Sequence, residues 1–205
     1  MSNGRHRVLL VTPFVLLLAG CASHRPQRSS ETPEHTTVKT FHAYRADGEL
    51  AVKVADVAVG HCWTTSITAA TSGAYRCIAG NAIRDPCFAS PKPSHPVEVA
   101  CIADPWSRAE VLQVTGALPE PASGGDGLAR PWALELGNGA RCVAASGMVP
   151  QIRGVNLGYH CGSGHDAGKL DRSTPVATIE YGDQRAQTLR AVTVTTIWQA
   201  RGNLR

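Results

Sequence analysis

The chain has 205 residues, 43% of them hydrophobic and 18% charged, with a formal charge of +4 and a pI near 8.8. That length accommodates one domain with a substantial core. The basic excess lies before residue 47: Arg5, Arg7, Arg25, Arg28, Lys39 and Arg45 face only Glu31 and Glu34 there, and residues 47–205 carry equal numbers of acids and bases. A nucleic-acid binder needs a basic face on its folded domain, so that class of partner is excluded.

Arg5, His6 and Arg7 form a positive start. Val8 to Leu18 is apolar apart from Thr12 and Pro13, and the small residues Ala19 and Gly20 precede Cys21. This is the three-part layout of a secretory signal. The apolar run is shorter than the roughly 20 residues a bilayer-spanning helix needs, and Pro13 interrupts it. Leu18-Ala19-Gly20-Cys21 resembles the lipobox of bacterial lipoproteins. The resemblance implies cleavage before Cys21, diacylglyceryl attachment to its sulfur and acylation (palmitate or a similar chain) of the new amino group. Two or three acyl chains hold a protein stably on a membrane, where one does so only marginally. The expected location is the extracytoplasmic face of the cell membrane.

Residues 21–46 form the next segment, a lipidated cysteine followed by a polar stretch with few core-forming side chains. Such composition cannot offset the entropy of ordering the chain. A flexible tether is expected, with a reach of about 25–30 Å by random-coil scaling.

The domain is expected over 47–205. Strand signals recur along it and long helical periodicity is absent. Leu50 to Val59 is Val/Ala-rich, and Val97 to Ile102 follows the turn Ser90-Pro91-Lys92-Pro93-Ser94. Glu110 to Thr115 alternates apolar and polar residues. Trp132 to Leu136 and Arg141 to Ala144 flank Gly137-Asn138-Gly139, and Asn-Gly between strand-like runs is a strong hairpin signal. Val155 to Cys161 reads as another strand. Pro175 to Tyr181 and Leu189 to Trp198 read as a hairpin turning at Gly182-Asp183-Gln184. Val192-Thr193-Val194-Thr195 suits a pleated, half-buried surface. Residues 62–73 and 78–84 are each expected to hold a helical turn, and Asp85-Pro86 and Asp104-Pro105 to form turns. The fold class is mainly β: a single disulfide-bonded antiparallel domain, barrel or sandwich, with few short helical turns.

With Cys21 assigned to lipid, Cys62, Cys77, Cys87, Cys101, Cys142 and Cys161 remain. An even number in an exported domain reads as a disulfide framework. Six cysteines allow 15 pairings. Pairing of neighbours along local hairpins favours Cys62–Cys77, Cys87–Cys101 and Cys142–Cys161. No Cys-x-x-Cys spacing supports a zinc site or a catalytic dithiol.

One loop concentrates chemistry: His160, Ser163, His165 and Asp166 lie within Tyr159-His160-Cys161-Gly162-Ser163-Gly164-His165-Asp166. Three triad residues on one short loop align poorly, since triads converge from separate elements. Neither Gly-x-Ser-x-Gly nor His-Glu-x-x-His occurs. A metal on His160, His165 and Asp166 would need a fourth group. The favoured reading of this loop is a glycine-rich turn beyond a disulfide. No cofactor, metal or catalytic residue is assigned. Trp63, Trp106, Trp132 and Trp198 could form a sugar-stacking platform, although the core is expected to claim most of them.

Ala74-Tyr75-Arg76-Cys77, Asn81, Ile83, Asp85-Pro86-Cys87-Phe88 and Pro105-Trp106 resemble a pattern in secreted proteins and lipoproteins of actinobacteria. This implies a cysteine-containing extracytoplasmic domain and no particular activity. The expected function is a non-enzymatic, lipid-anchored protein that binds or supports another envelope component, protein or glycan. The alternatives are a cell-wall hydrolase or transferase using the 159–166 loop, and a binding module of the protease-inhibitor kind.

Overall fold

The structure, a computed structural model, describes residues 34–120 and 130–202. The expected signal, Cys21 and the first part of the expected tether lie outside the described residues. The described part contains fourteen strands and no helix, and it falls in one compact unit. The domain is mainly β, as its turn-rich, Val- and Thr-rich composition dictates. The helical turns expected within 62–73 and 78–84 are absent: both stretches contribute strands instead. The cross-strand disulfide between Cys62 and Cys77 ties two adjacent strands together here.

Two closed barrels make up the fold. The first contains β2 (Val54–Thr65), β3 (Ala74–Ala79), β4 (Ala82–Ala89), β5 (Val97–Cys101) and β6 (Ala109–Val114). Sequential neighbours run antiparallel, and β6 closes the ring by pairing parallel to β2. Length explains how β2 serves two partners. Its first half, Val54 to Gly60, pairs with β6, and its second half, His61 to Thr65, pairs with β3. Gly60 sits at the switch. A Cβ there would lie 2.8 Å from the Ile78 carbonyl oxygen and 2.9 Å from Leu112 Cδ1, so only glycine permits the approach.

The interior of this barrel is rich in sulfur. Cys62, Cys77, Cys87 and Cys101 pack with Tyr75, Val99, Leu112 and Val114. Cys62 stands directly opposite Cys77, and Cys87 directly opposite Cys101. Both pairs form disulfides, and Cys142–Cys161 forms the third. Neighbour pairing thus holds throughout, because each bridge links strands that are already adjacent.

The second barrel is an up-and-down ring of β7 (Ala133–Leu136), β8 (Arg141–Ala144), β11 (Tyr159–His160), β12 (His165–Asp171), β13 (Thr178–Asp183) and β14 (Thr188–Arg201), closed by β14 against β7. Its core holds Leu134, Leu136, Tyr159, Ile179, Val194 and Ile197 around the buried Cys142. The stretch Val155 to Cys161, expected as one strand, is split. Val155–Asn156 (β10) pairs with Gln151–Ile152 (β9) in a separate hairpin, and the chain re-enters the barrel at Tyr159. Arg153 and Gly154 both have positive φ at the tip of that hairpin, as a two-residue type I′ turn requires. At 136–140 only Gly139 has positive φ. Gly139 N–H bonds Leu136 C=O, and Leu136 N–H bonds Ala140 C=O. This is a type I turn closed by a glycine bulge rather than a two-residue Asn-Gly turn.

Three sequence boundaries move. The strand expected at 50–59 begins at Val54 and runs to Thr65. Asp85-Pro86 lies inside β4 rather than in a turn, beside a register break against β3. The last part of the stretch 21–46 expected as a tether is structured instead: Thr37–His42 forms β1, parallel to the end of β14. Phe41, Ala43 and Tyr44 are buried. Burial of this one aromatic cluster offsets the ordering entropy that its polar neighbours could not.

Phe41, Tyr44, Phe88, Ala100, Ile102, Trp132 and Ala200 form one cluster drawing on both barrels. The Phe41 and Trp132 rings are 4.9 Å apart, and Phe88 meets Trp132 edge-on at 6.0 Å. Trp106 and Trp198 add a second edge-on pair at 6.3 Å. Aromatic packing of this kind makes the joint between the barrels part of the core.

Candidate functional site

A cleft of about 530 Å³ opens where β4 and the starts of β2 and β6 in the first barrel face β8 and β11 in the second. The pairing of strands decides which side chains reach it. Arg84 on β4 forms an ion pair with Glu110 at the head of β6, both partly exposed. Arg108 is exposed at the rim. Ser107 Oγ donates to Asp104 Oδ2 at 2.7 Å, which fixes the turn that begins β6. Val143, Ala144, Ser146 and His160 supply the opposite wall.

Asp85 also borders the cleft, but its carboxylate is fully buried and engaged. It accepts hydrogen bonds from Ser66 Oγ, from Thr68 Oγ1 at 2.9 Å and from the Ile67 amide at 3.3 Å, and the Arg76 guanidinium lies 4.0 Å away. These contacts fold the 66–72 loop onto β4. Such satisfaction is what a buried carboxylate needs, so Asp85 serves the scaffold.

His160 is the most organised polar group on the cleft wall. It stands opposite Asp166 in the β11–β12 pairing, so both side chains leave the same face. His160 Nδ1 lies 2.6 Å from Asp166 Oδ1, and Gln184 Nε2 donates to Asp166 Oδ2. Asp166 is buried and the His160 ring is half exposed. A buried carboxylate on Nδ1 fixes ring orientation and tautomer. Nε2 is then the nitrogen available to a ligand, as hydrogen-bond acceptor or as base.

The structure divides the 159–166 loop. His160 and Asp166 come together, and Ser163 and His165 do not join them. Gly162, Ser163 and Gly164 all have positive φ and form the turn. The Ser163 carbonyl accepts from His165 Nδ1 at 3.2 Å. Alternation along β12 buries Asp166 and sends His165 outward. There it stacks on Tyr181 at 5.1 Å, with Nε2 3.8 Å from Asp183, in a shallow hollow shared with Thr188 and Arg190. Hydrogen bonds from the Ala186 and Arg185 amides hold the Asp183 carboxyl below the usual range.

The tryptophans form no common platform. Trp132 is buried in the joint, and Trp63 is exposed on the first barrel beside Arg76. Trp106 and Trp198 pack together, with Arg141 over the first ring and Lys39 over the second. Glu135 lies against this pair. Burial pushes its carboxyl up, but hydrogen bonds from Thr196 and Trp106 and the charge of Lys39 together hold it below the ordinary value. The sequence reading missed Arg84, Arg108, Glu110 and Ser146. No local motif marks them, because they meet only when two barrels close and abut.

No family model matches the chain, and neither a curated protein nor a solved structure matches it.

Proposed function

We propose that this is a non-enzymatic, lipid-anchored binding protein of the cell envelope, tethered through Cys21 on the extracytoplasmic face. It holds another envelope component, a protein segment or glycan, in the cleft between its barrels. The observation that carries this reading is the cleft itself. Ile102 in its wall packs in the aromatic cluster shared by the barrels, which holds the walls before a ligand arrives, and a preorganised site loses little entropy on binding. Half of its sixteen lining residues are polar or charged, Arg84, Arg108, Glu110 and His160 among them, set beside Ile83, Ile102, Val143 and Ala144, so it suits a polar ligand with some apolar surface. Arg108 and His160 offer a cation and an oriented imidazole to carboxylate, hydroxyl or amide groups.

The test is cross-linking in intact cells with the full-length protein, comparing wild type with Arg108→Ala/His160→Ala. The wild type should yield a discrete adduct with an envelope component, and the double variant should lose most of it while keeping its thermal midpoint. Equal adduct from both proteins would refute the cleft as the binding site.

The His160–Asp166 pair favours one second reading, a hydrolase or transferase in which Nε2 acts as general base. His160→Ala would then abolish turnover of wall fragments by the purified protein, whereas the binding reading gives no turnover in either protein.

A further inference from the structure

The two disulfides inside the first barrel are close neighbours. Sγ atoms of Cys77, Cys87 and Cys101 all lie within 4.8 Å of one another, and Cys62 is bonded to Cys77. Two independent structural bridges need no such proximity. Access to them is uneven. All four are buried; Cys101, at 5% exposure, is the least so and is the one of the four among the residues lining the inter-barrel cleft. Cys77 and Cys87 sit on adjacent strands, β3 and β4, on either side of the register break between Tyr75 and Cys77.

We propose that these four cysteines form a thiol–disulfide exchange site, entered at Cys101 from the cleft, whose substrate is a dithiol. Exchange proceeds by thiolate attack on a disulfide sulfur through a mixed disulfide. A thiolate of the dithiol attacks Cys101 Sγ, forming a mixed disulfide and releasing Cys87 as thiolate. Cys87 Sγ is already beside Cys77 Sγ. It attacks there, forming a Cys77–Cys87 bond and releasing Cys62, which takes up a proton. The second thiol of the dithiol then attacks its own sulfur in the mixed disulfide and frees Cys101, which is protonated. The dithiol leaves as a cyclic or intramolecular disulfide, oxidised by two electrons. The protein is reduced by two electrons, with thiols at Cys62 and Cys101 and a single bridge between β3 and β4. Proximity makes the internal step available, because the Cys62–Cys77 disulfide lies within reach of the released Cys87 thiolate, and protonation of Cys62 by a proton from the dithiol completes it. Cys142–Cys161 lies in the other barrel and takes no part.

The test uses the intact oxidised protein without denaturant. Dithiothreitol is added until two thiols per chain appear, the reaction is stopped with acid, free thiols are alkylated, and linkages are mapped by peptide mass spectrometry. The expected result is a Cys77–Cys87 linked peptide with alkyl groups on Cys62 and Cys101, and an untouched Cys142–Cys161 bridge. Finding only the native linkages in the two-electron-reduced protein would overturn the proposal. So would thiols appearing at Cys142 and Cys161 first, or linkages joining cysteines of different barrels, which require an unfolded chain. A second measurement repeats the mapping with a bulky phosphine, which reduces without entering a dithiol cycle and reaches buried sulfur poorly. It should release thiols from the first barrel at least tenfold more slowly than dithiothreitol, and equal rates would contradict entry by exchange at Cys101.

Discussion

Trp106 Nε1 donates a hydrogen bond to Glu135 Oε1 at 2.9 Å. Trp106 belongs to the turn between β5 and β6, and Glu135 to β7, so the bond crosses from one barrel to the other. It lies close to the edge-on contact between Trp106 and Trp198 and reinforces it. The cleft depends on this joint, because its walls come from different barrels and keep their spacing only if the barrels do.

Replacing Trp106 with Phe keeps a ring in place and removes the donor. A hydrogen bond to a charged acceptor contributes about 1.5–3 kcal/mol, and the partly exposed setting puts this one at the lower end. The thermal midpoint should fall by roughly 3–6 °C for a domain of this size. An unchanged midpoint in differential scanning calorimetry would show that the bond is not part of the joint.

Trp132 is fully buried between Phe41 and Phe88. Trp132→Ala should cost about 3–5 kcal/mol, the range for deleting a large buried aromatic. Urea unfolding monitored by circular dichroism measures this. A cost under about 1 kcal/mol would mean the barrels are joined by something other than this cluster.

Stability should fall at both pH extremes, for different groups. Tyr44 and Tyr159 are both pushed up to about 12, chiefly by burial; Glu98 adds to the effect at Tyr44, and Arg130 opposes it at Tyr159. In the unfolded chain they ionise near 10. Their contribution is therefore complete below pH 10 and is lost as pH rises from about 10 to about 12. Glu135 is held low in the fold. Its contribution is present above the unfolded value of about 4.3 and is lost as pH falls through the folded value. Denaturation midpoints across the pH range should show both limbs, and Glu135→Gln should flatten the acid one alone.

Cys142–Cys161 closes a loop with a sequence separation of 19 and anchors the strand that carries His160. Replacing both cysteines with Ala should cost about 3 kcal/mol in the chain-entropy model and loosen the His160–Asp166 pair. The check is hydrogen exchange at the Tyr159 and Ala167 amides, which should speed up relative to first-barrel amides. Uniform change in both barrels would contradict a local role.

Much of this fold is legible in the residues. The Val/Thr-rich C-terminal run becomes β14, and the six cysteines pair with their neighbours because each pair spans one hairpin or one strand boundary. Two things are not legible. Barrel closure by a parallel β2–β6 pairing and a switch of partners at Gly60 depends on contacts far apart in sequence. The strands β3, β4 and β12 are short of β-branched residues, since disulfides and glycines take the place of aliphatic packing in them. The candidate site fares similarly. His160 and Asp166 are visible as neighbours in a suspicious loop, but strand alternation, which separates them from His165, appears only once the register is known. Arg84 and Arg108 carry no local signal at all.

The central claim is that the inter-barrel cleft is where a partner binds. It is tested most directly by placing a photoreactive amino acid at Ser146, on the cleft wall, and in a parallel protein at Gln187, exposed in the β13–β14 turn. Both full-length proteins are expressed and irradiated in living cells. A cross-linked envelope component from position 146 and none from position 187 is the expected result. Equal adducts at both positions, or none at 146, would contradict the claim.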